Sequence, residues 1–240
     1  MNQFVVALRS FDLDAVKKKV KINPDWLKWR DESGRNALHI VCSKNPGKDK
    51  KAAQSALAVV QFLIRSGMDI NSIHEIPDDN SIFPATPLWH AYAKGRNERV
   101  YAWLLKNGAD PERCMWAIAW NDDVKAANLF SRFGARTTRL EGPDDPFCAA
   151  FLWKRFKVAN WFLEHGADVN FADKEGNTVL YYAIKRKFDF EWIEFLYREG
   201  ADFDRKNNEG VSARMLATQN RRRKILRLFD PKSLILDARY

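Results

Sequence analysis

Apolar positions recur along this chain in short bursts at helical spacing, and most bursts close on a glycine. Phe4, Val5 and Leu8, then Leu13, Val16 and Val20, keep the three-and-four rhythm of helices with one buried stripe. They predict a helix pair over residues 1–29, with Pro24 closing the second helix. Helices over residues 36–43 and 52–66 continue the pattern. The glycine stops have a grammar of their own. Gly166-Ala167-Asp168-Val169-Asn170 returns as Gly200-Ala201-Asp202-Phe203-Asp204, and the turn Asp173-Lys174-Glu175-Gly176 returns as Asn207-Asn208-Glu209-Gly210. Gly166 to Gly200 and Gly176 to Gly210 are each 34 residues. Two independent markers sharing one period predict stacked helical units rather than one closed core.

Each marker has a mechanical reason. A glycine after an apolar helical run supplies the left-handed backbone that ends a helix. Asp at the start and Gly at the end of a four-residue segment is turn chemistry. Thr178 and Ser212 then offer hydroxyls to the free N–H groups of the next helix, and Pro87 in Thr86-Pro87-Leu88 suits a first helical position. One unit therefore reads turn, helix, tight connection, helix, glycine stop.

With these residues the chain resembles the ankyrin-repeat proteins, whose units open on Thr-Pro-Leu-His-x-Ala and close on Gly-Ala-Asp-Val-Asn. Asn36-Ala37-Leu38-His39-Ile40-Val41-Cys42 and Thr86-Pro87-Leu88-Trp89-His90-Ala91 match the start; Gly67-Met68-Asp69-Ile70-Asn71, Gly108-Ala109-Asp110 and the two stops above match the end. The resemblance implies an all-α fold: an ankyrin-repeat solenoid of about seven stacked helix pairs with short projecting β-turns. It also implies a single domain over residues 1–240, with an N-terminal capping pair at 1–30, repeats at 31–205, and a C-terminal capping repeat and tail at 206–240.

Some segments depart from the pattern. Residues 45–51 lengthen a connection, and residues 72–85, with Pro77 and Pro84, occupy the place of a short turn. Long loops on a repeat scaffold often line the binding face, although drift of a tolerated loop explains them as well. Only 26 residues separate Gly108 from Gly134, and Pro111-Glu112 passes almost directly into a helix, so one turn is expected to be missing in the middle. Residues 139–145 read as an irregular turn, and the apolar residues at 234–236 suggest a strap folding back.

Composition narrows the function. The chain has 240 residues, 46% of them hydrophobic, with no apolar run approaching a membrane span. No basic residue precedes the short apolar patch at Phe4–Leu8, so no secretory signal is expected. Cys42, Cys114 and Cys148 are an odd, widely spaced set that suggests no disulfide framework, and a reducing cytoplasm is the expected setting. The net charge of +9 and pI near 9.5 gather in blocks such as Lys17-Lys18-Lys19, residues 48–51 and Arg221-Arg222-Arg223-Lys224. Such blocks attract acidic proteins, nucleic acid or anionic lipid, while interspersed acidic residues also fit solvated helix faces.

Catalysis and metal binding find little support. No His or Cys pair has metal-ligand spacing, and neither a phosphate-binding glycine loop nor a nucleophile motif is present. His39 matches the start-motif histidine, which the resemblance assigns to hydrogen bonding between neighbouring turns; His165 precedes a helix-stop glycine. Asp78-Asp79, Asp122-Asp123 and Asp144-Asp145 are carboxylate pairs, more simply read as loop and cap residues. The protein is expected to be no enzyme and to need no cofactor.

Recognition remains. In the family, the projecting turns and one face of the first helices line a concave groove. Matching the start motif residue by residue puts Ser43 and Lys44, Ala93 and Lys94, Ala119 and Trp120, Leu152 and Trp153, Lys185 and Arg186, and Gln219 and Asn220 on that face. Arg35 and Lys174 fall at turn tips. Trp120 and Trp153 stand where nearly any residue is tolerated, and Trp dominates binding hot spots; the competing reading is that both rings fill space in an irregular middle. Trp89, Trp103, Trp161 and Trp192 read as core from their spacing to Leu or Phe. The expectation is a monomeric protein–protein interaction module with an aromatic centre and a basic flank, taking a partner with an acidic or apolar patch. Nucleic-acid or acidic-ligand binding through the basic clusters is the alternative.

Overall fold

The computed structural model describes residues 2–78, 81–137 and 145–229. Asp79, Asp144, the body of the irregular turn and the proposed C-terminal strap lie outside them. The chain divides into two compact units, Met1–Ala117 with Asn128–Ala135, and Ile118–Ala127 with Arg136–Tyr240.

The N-terminal unit opens with α1 (Gln3–Ser10) and α2 (Leu13–Ile22), capped by the side chains of Asn2 and Asp12. Asn23 ends α2 and Pro24 begins a 3-10 turn, so proline closes this pair as its geometry demands. α3 (Ala37–Ser43) and α4 (Lys50–Arg65) form the second pair. Asp49 caps α4, so four charged residues of the long connection do not delay the helix to Ala52. The third pair is α5 (Pro87–Trp89), which runs into a π-helical stretch His90–Lys94, and α6 (Glu98–Lys106). First helices pack on first helices and second on second: α1 on α3, α3 on the π stretch, α2 on α4 and α4 on α6. Phe4, Leu8, Leu38, Leu63, Leu88 and Leu104 are fully buried between them.

Residues 74–78 and 81–85 are not a loop. They form the antiparallel hairpin β1 (His74–Asp78) and β2 (Ser81–Ala85), with His74 opposite Ala85 and Ile76 opposite Phe83. Pro77 and Pro84 would be out of place in the middle of a sheet. A two-stranded ribbon is all edge, however, and proline is tolerated where its missing N–H faces outward.

α7 (Met115–Asn121) and α8 (Val124–Ser131) make the fourth pair, and their residues are divided between the two units. A short 3-10 turn, Glu112–Cys114, leads straight into α7, so no projecting turn separates it from Gly108. The C-terminal unit holds three further pairs: α9 (Pro146–Leu152) with α10 (Phe156–Glu164), α11 (Val179–Lys185) with α12 (Phe190–Arg198), and α13 (Ala213–Gln219) with α14 (Arg223–Phe229). Asp145, Thr178 and Ser212 cap the first helices as N-cap residues. α11 packs on both α9 and α13, with Phe147, Phe151, Phe162, Leu180 and Leu196 in the core.

The glycine stops work as the sequence predicts. Gly166 has φ +89° and Gly200 +87°. The next N–H turns back onto the helix, Ala167 to the Phe162 carbonyl and Ala201 to the Leu196 carbonyl, at 2.9 Å each. The asparagine that ends the motif then reaches the following unit: Asn170 Nδ2 donates to the Gly200 carbonyl at 3.0 Å and its Oδ1 accepts the Asp202 N–H at 2.6 Å. Asn71 makes the same pair of bonds to Gly108 and Asp110.

Of the four tryptophans expected in the core, Trp161 is buried, whereas Trp89, Trp103 and Trp192 are only half-buried. Helical spacing finds the apolar side of a helix but not the depth of a large ring at its margin.

Candidate functional site

The C-terminal unit places its predicted surface residues at equivalent points, the carboxyl ends of first helices. Trp120 lies in the last turn of α7, Trp153 just after α9, Lys185 and Arg186 at the end of α11, and Gln219 and Asn220 at the end of α13. The connection that follows each helix uses a left-handed residue: Asp122, Lys154, Lys187 and Arg221 have φ between 51° and 61°. That bend returns Arg155 N–H to the Ala150 carbonyl, Phe188 to Ala183 and Arg222 to Ala217. Three of the four bent residues are basic, which adds positive charge beside the helix ends and complements their partial negative charge.

Trp120 and Trp153 touch. Trp120 is 55% exposed, Trp153 half-buried, and their rings meet edge to face with centroids 5.0 Å apart. Arg155 holds its guanidinium 5.8 Å from the centre of the Trp120 ring, and its Nε is buried without a hydrogen-bond partner. Sequence reasoning missed Arg155; the only signal was its place two residues after Trp153. The flank is also built on aromatics: Lys185 Nζ sits 5.5 Å over Tyr181, and the Arg186 guanidinium 5.6 Å over Tyr182. Cations held over rings are partly ordered. Gln219 and Asn220 are exposed.

The remaining predicted residues are not part of this group. Lys44 and Lys94 are exposed in the N-terminal unit, Lys94 lying 5.6 Å over the Trp89 ring. Arg35 is half-buried and committed to Asp31 through Nε at 2.9 Å and Nη2 at 2.8 Å. Lys174 is exposed at a turn tip, 3.7 Å from the Glu175 carboxylate. The carboxylates weighed for chemistry do capping work: Asp122 accepts the Val158 N–H at 2.9 Å, and Asp145 accepts from Phe147 and Cys148. Burial still pushes the Asp145 carboxyl above its usual range. Cys42, Cys114 and Cys148 are free, and burial raises all three thiols well above the range where thiolate forms. Among the described residues no helix is long and apolar enough to cross a membrane.

Residues 146–233 match the model of ankyrin repeats in three copies. The structure is similar to the ankyrin repeat domain of human ASB11, at TM-score 0.66 and 20% identity, covering 90% of this chain and 91% of that one. It is also similar to the ankyrin repeat domain of Bcl-3, described as a unique member of the IkappaB protein family, at TM-score 0.71 and 20% identity, covering 94% and 96%. The fold is the ankyrin-repeat fold. No curated protein matches the sequence. Ankyrin repeat domains are in general protein–protein interaction modules, typically non-catalytic. The repeat reading also gives His39 its role: Nδ1 accepts the Asn36 N–H at 3.1 Å, closing a capping box, while Nε2 bonds the Ser72 carbonyl at 2.9 Å.

Proposed function

We propose that the C-terminal unit binds a segment of another protein, one that carries an apolar or aromatic anchor next to acidic side chains. The anchor covers Trp120 and Trp153, and the acidic residues meet Arg155, Lys185 and Arg186, with Gln219 and Asn220 adding hydrogen bonds farther along. One observation carries this reading: an edge-to-face tryptophan pair is left open to solvent with a cation over its exposed ring. A stack built for packing alone has no reason to leave the larger part of a tryptophan wet, whereas covering such a ring contributes about 2 kcal/mol or more to a complex. Lys174 belongs to the rim of this surface, and Lys44, Lys94 and Arg35 are secondary contacts in the N-terminal unit. In this reading the protein is non-catalytic, monomeric and cytoplasmic.

A peptide array tests it, with the same aromatic anchor set among Asp and Glu, among neutral residues, or among Lys and Arg. The acidic series should bind best, and Trp120→Ala and Arg155→Gln should each weaken it. Equal binding of all three series, or none, would remove the proposal. Tight binding of a generic oligonucleotide, falling steeply with salt and indifferent to Trp120→Ala, would favour the nucleic-acid alternative instead.

A further inference from the structure

Three of the four histidines, far apart in sequence, meet inside the N-terminal unit. His39 comes from α3, His74 from β1 and His90 from the π stretch, and their side chains lie in residues 0%, 8% and 4% exposed. The ring centroids are 5.6, 5.3 and 5.2 Å apart for the pairs 39–74, 39–90 and 74–90. Nδ1 of His74 and Nε2 of His90 stand 3.0 Å apart, a hydrogen bond that holds one proton between two imidazoles. Together with Ser72, these residues fasten the foot of the hairpin. Asn36 Nδ2 donates to Ser72 Oγ at 2.9 Å, His39 Nε2 donates to the Ser72 carbonyl, and Arg30 Nη1 donates to the Ile73 carbonyl at 2.9 Å.

This network works only with neutral rings. His39 accepts at Nδ1 and donates at Nε2, so its one proton is assigned. His74 hydrogen-bonds the Ser33 backbone as well as His90, and His90 Nδ1 is buried with no partner. A proton arriving on that bare nitrogen creates a cation between two other imidazoles. The surrounding charges oppose it: Arg30 and Arg35 come from the segment before α3 and Lys94 from the π stretch, with Asp31 acting against them at His39 and His74. Burial first, then the neighbouring imidazoles at His39 and His90, and after them the basic groups, push His39 down to about 4 and His90 down to about 3. Burial and the arginines lower His74 as well, the hydrogen bonds to Ser72 and Ser33 pulling His39 and His74 the other way. Among the described residues no group of His, Cys, Asp and Glu is arranged to hold a metal ion, so the cluster is read as a protonation site.

We propose that His39, His74 and His90 form an acid-opened latch, in which proton uptake undocks residues 72–85 from α3 and the π stretch while the C-terminal unit stays folded. The sign follows from linkage. Once undocked, the imidazoles regain ordinary basicity and bind more protons than the docked state, so docking is strongest above about pH 6.5 and weakens as pH falls toward 4. The C-terminal unit carries one histidine, His165, which is exposed at the end of α10 and stacked on Trp161.

Hydrogen exchange on the full-length protein at pH 7.4 and 5.0, corrected for the intrinsic pH dependence of exchange, reads the latch directly. Protection over residues 72–85 should fall roughly tenfold or more, the linkage expected from one or two histidines. Protection over residues 166–210 should hold within about twofold on the same linkage argument. His90→Gln keeps a donor toward His74 and should flatten the response at 72–85. If that variant does not fold, the imidazole resonances of the unaltered protein decide: those of His39 and His90 should stay neutral at pH 5.5, and that of His74 should titrate below the usual histidine range. Unchanged hairpin protection, an equal loss in both regions, or imidazoles that titrate near pH 6.5 with the hairpin still docked would each overturn the latch.

Discussion

The two units use the same repeat grammar and fasten their projecting segments by different chemistry. In the C-terminal unit the turn tips stack through amides. Asn208 N–H donates to the Glu175 carbonyl at 3.0 Å, its side chain donates to the Lys174 carbonyl at 2.9 Å, and Asn207 Nδ2 donates to Asn177 Oδ1 at 2.8 Å. None of these groups titrates in the physiological range. The N-terminal unit replaces the turn after Asn71 with a hairpin and secures it through imidazoles and a buried hydroxyl. Amide stacking makes a support whose strength is independent of pH; an imidazole network makes one that a proton can release. With the two proposals made above, the difference also separates tasks. The regular unit carries the open tryptophan pair, and the irregular unit carries the titratable latch.

Breaking that comparison starts with the largest effect. Gly95 ends the π stretch, and a Cβ there would overlap the Cys42 carbonyl oxygen of the neighbouring helix end. Gly95→Ala should therefore cost about 3 kcal/mol, because backbone cannot yield as a side chain does. Gly176→Ala in the other unit meets the Asn208 Oδ1 at 2.8 Å and backbone atoms of Asn208 and Asn207 at 3.0 and 3.1 Å, a milder overlap than at Gly95 but at φ +80°, and should cost about 2 kcal/mol. Urea denaturation of the two variants orders them, and a reversed order would mean the π stretch is free to shift.

Acid comes next. A histidine held near 4 when folded and at 6.5 when unfolded removes about 2 kcal/mol of stability as pH falls from 8 to 5. Denaturation followed over residues of each unit should show this loss in the N-terminal one alone. The smallest effect is a test of likeness: Asn71→Ala and Asn170→Ala each break two bridges to the next unit and should each cost about 1 kcal/mol. Unequal costs would mean that the shared motif does unequal work.

Much of the fold was legible because its signals are local. A glycine stop, a Thr or Ser cap and an Asp-x-x-Gly turn each act within a few residues, so Gly166, Thr178 and Asp173 could be read without knowing what lay opposite. The meeting of Trp120 and Trp153 was also within reach, since matching positions on successive helices become neighbours once the helices stack. The histidine cluster was not. His74 sits in an insert with no repeat position, and His90 one residue past the start-motif slot that Trp89 fills. Only the folded hairpin brings them to His39. Arg155 was hidden for a similar reason: its left-handed predecessor Lys154 turns it back over Trp120, and nothing in the residue type announces that bend.

Calorimetric titration of the best acidic array peptide into the unaltered protein and into Trp120→Ala, with a thermal melt of each, is the most direct test of the binding face. Loss of roughly thirtyfold in affinity, about 2 kcal/mol, at a nearly unchanged melting temperature is the predicted result. Unchanged affinity, or a variant that melts well below its parent, would contradict it.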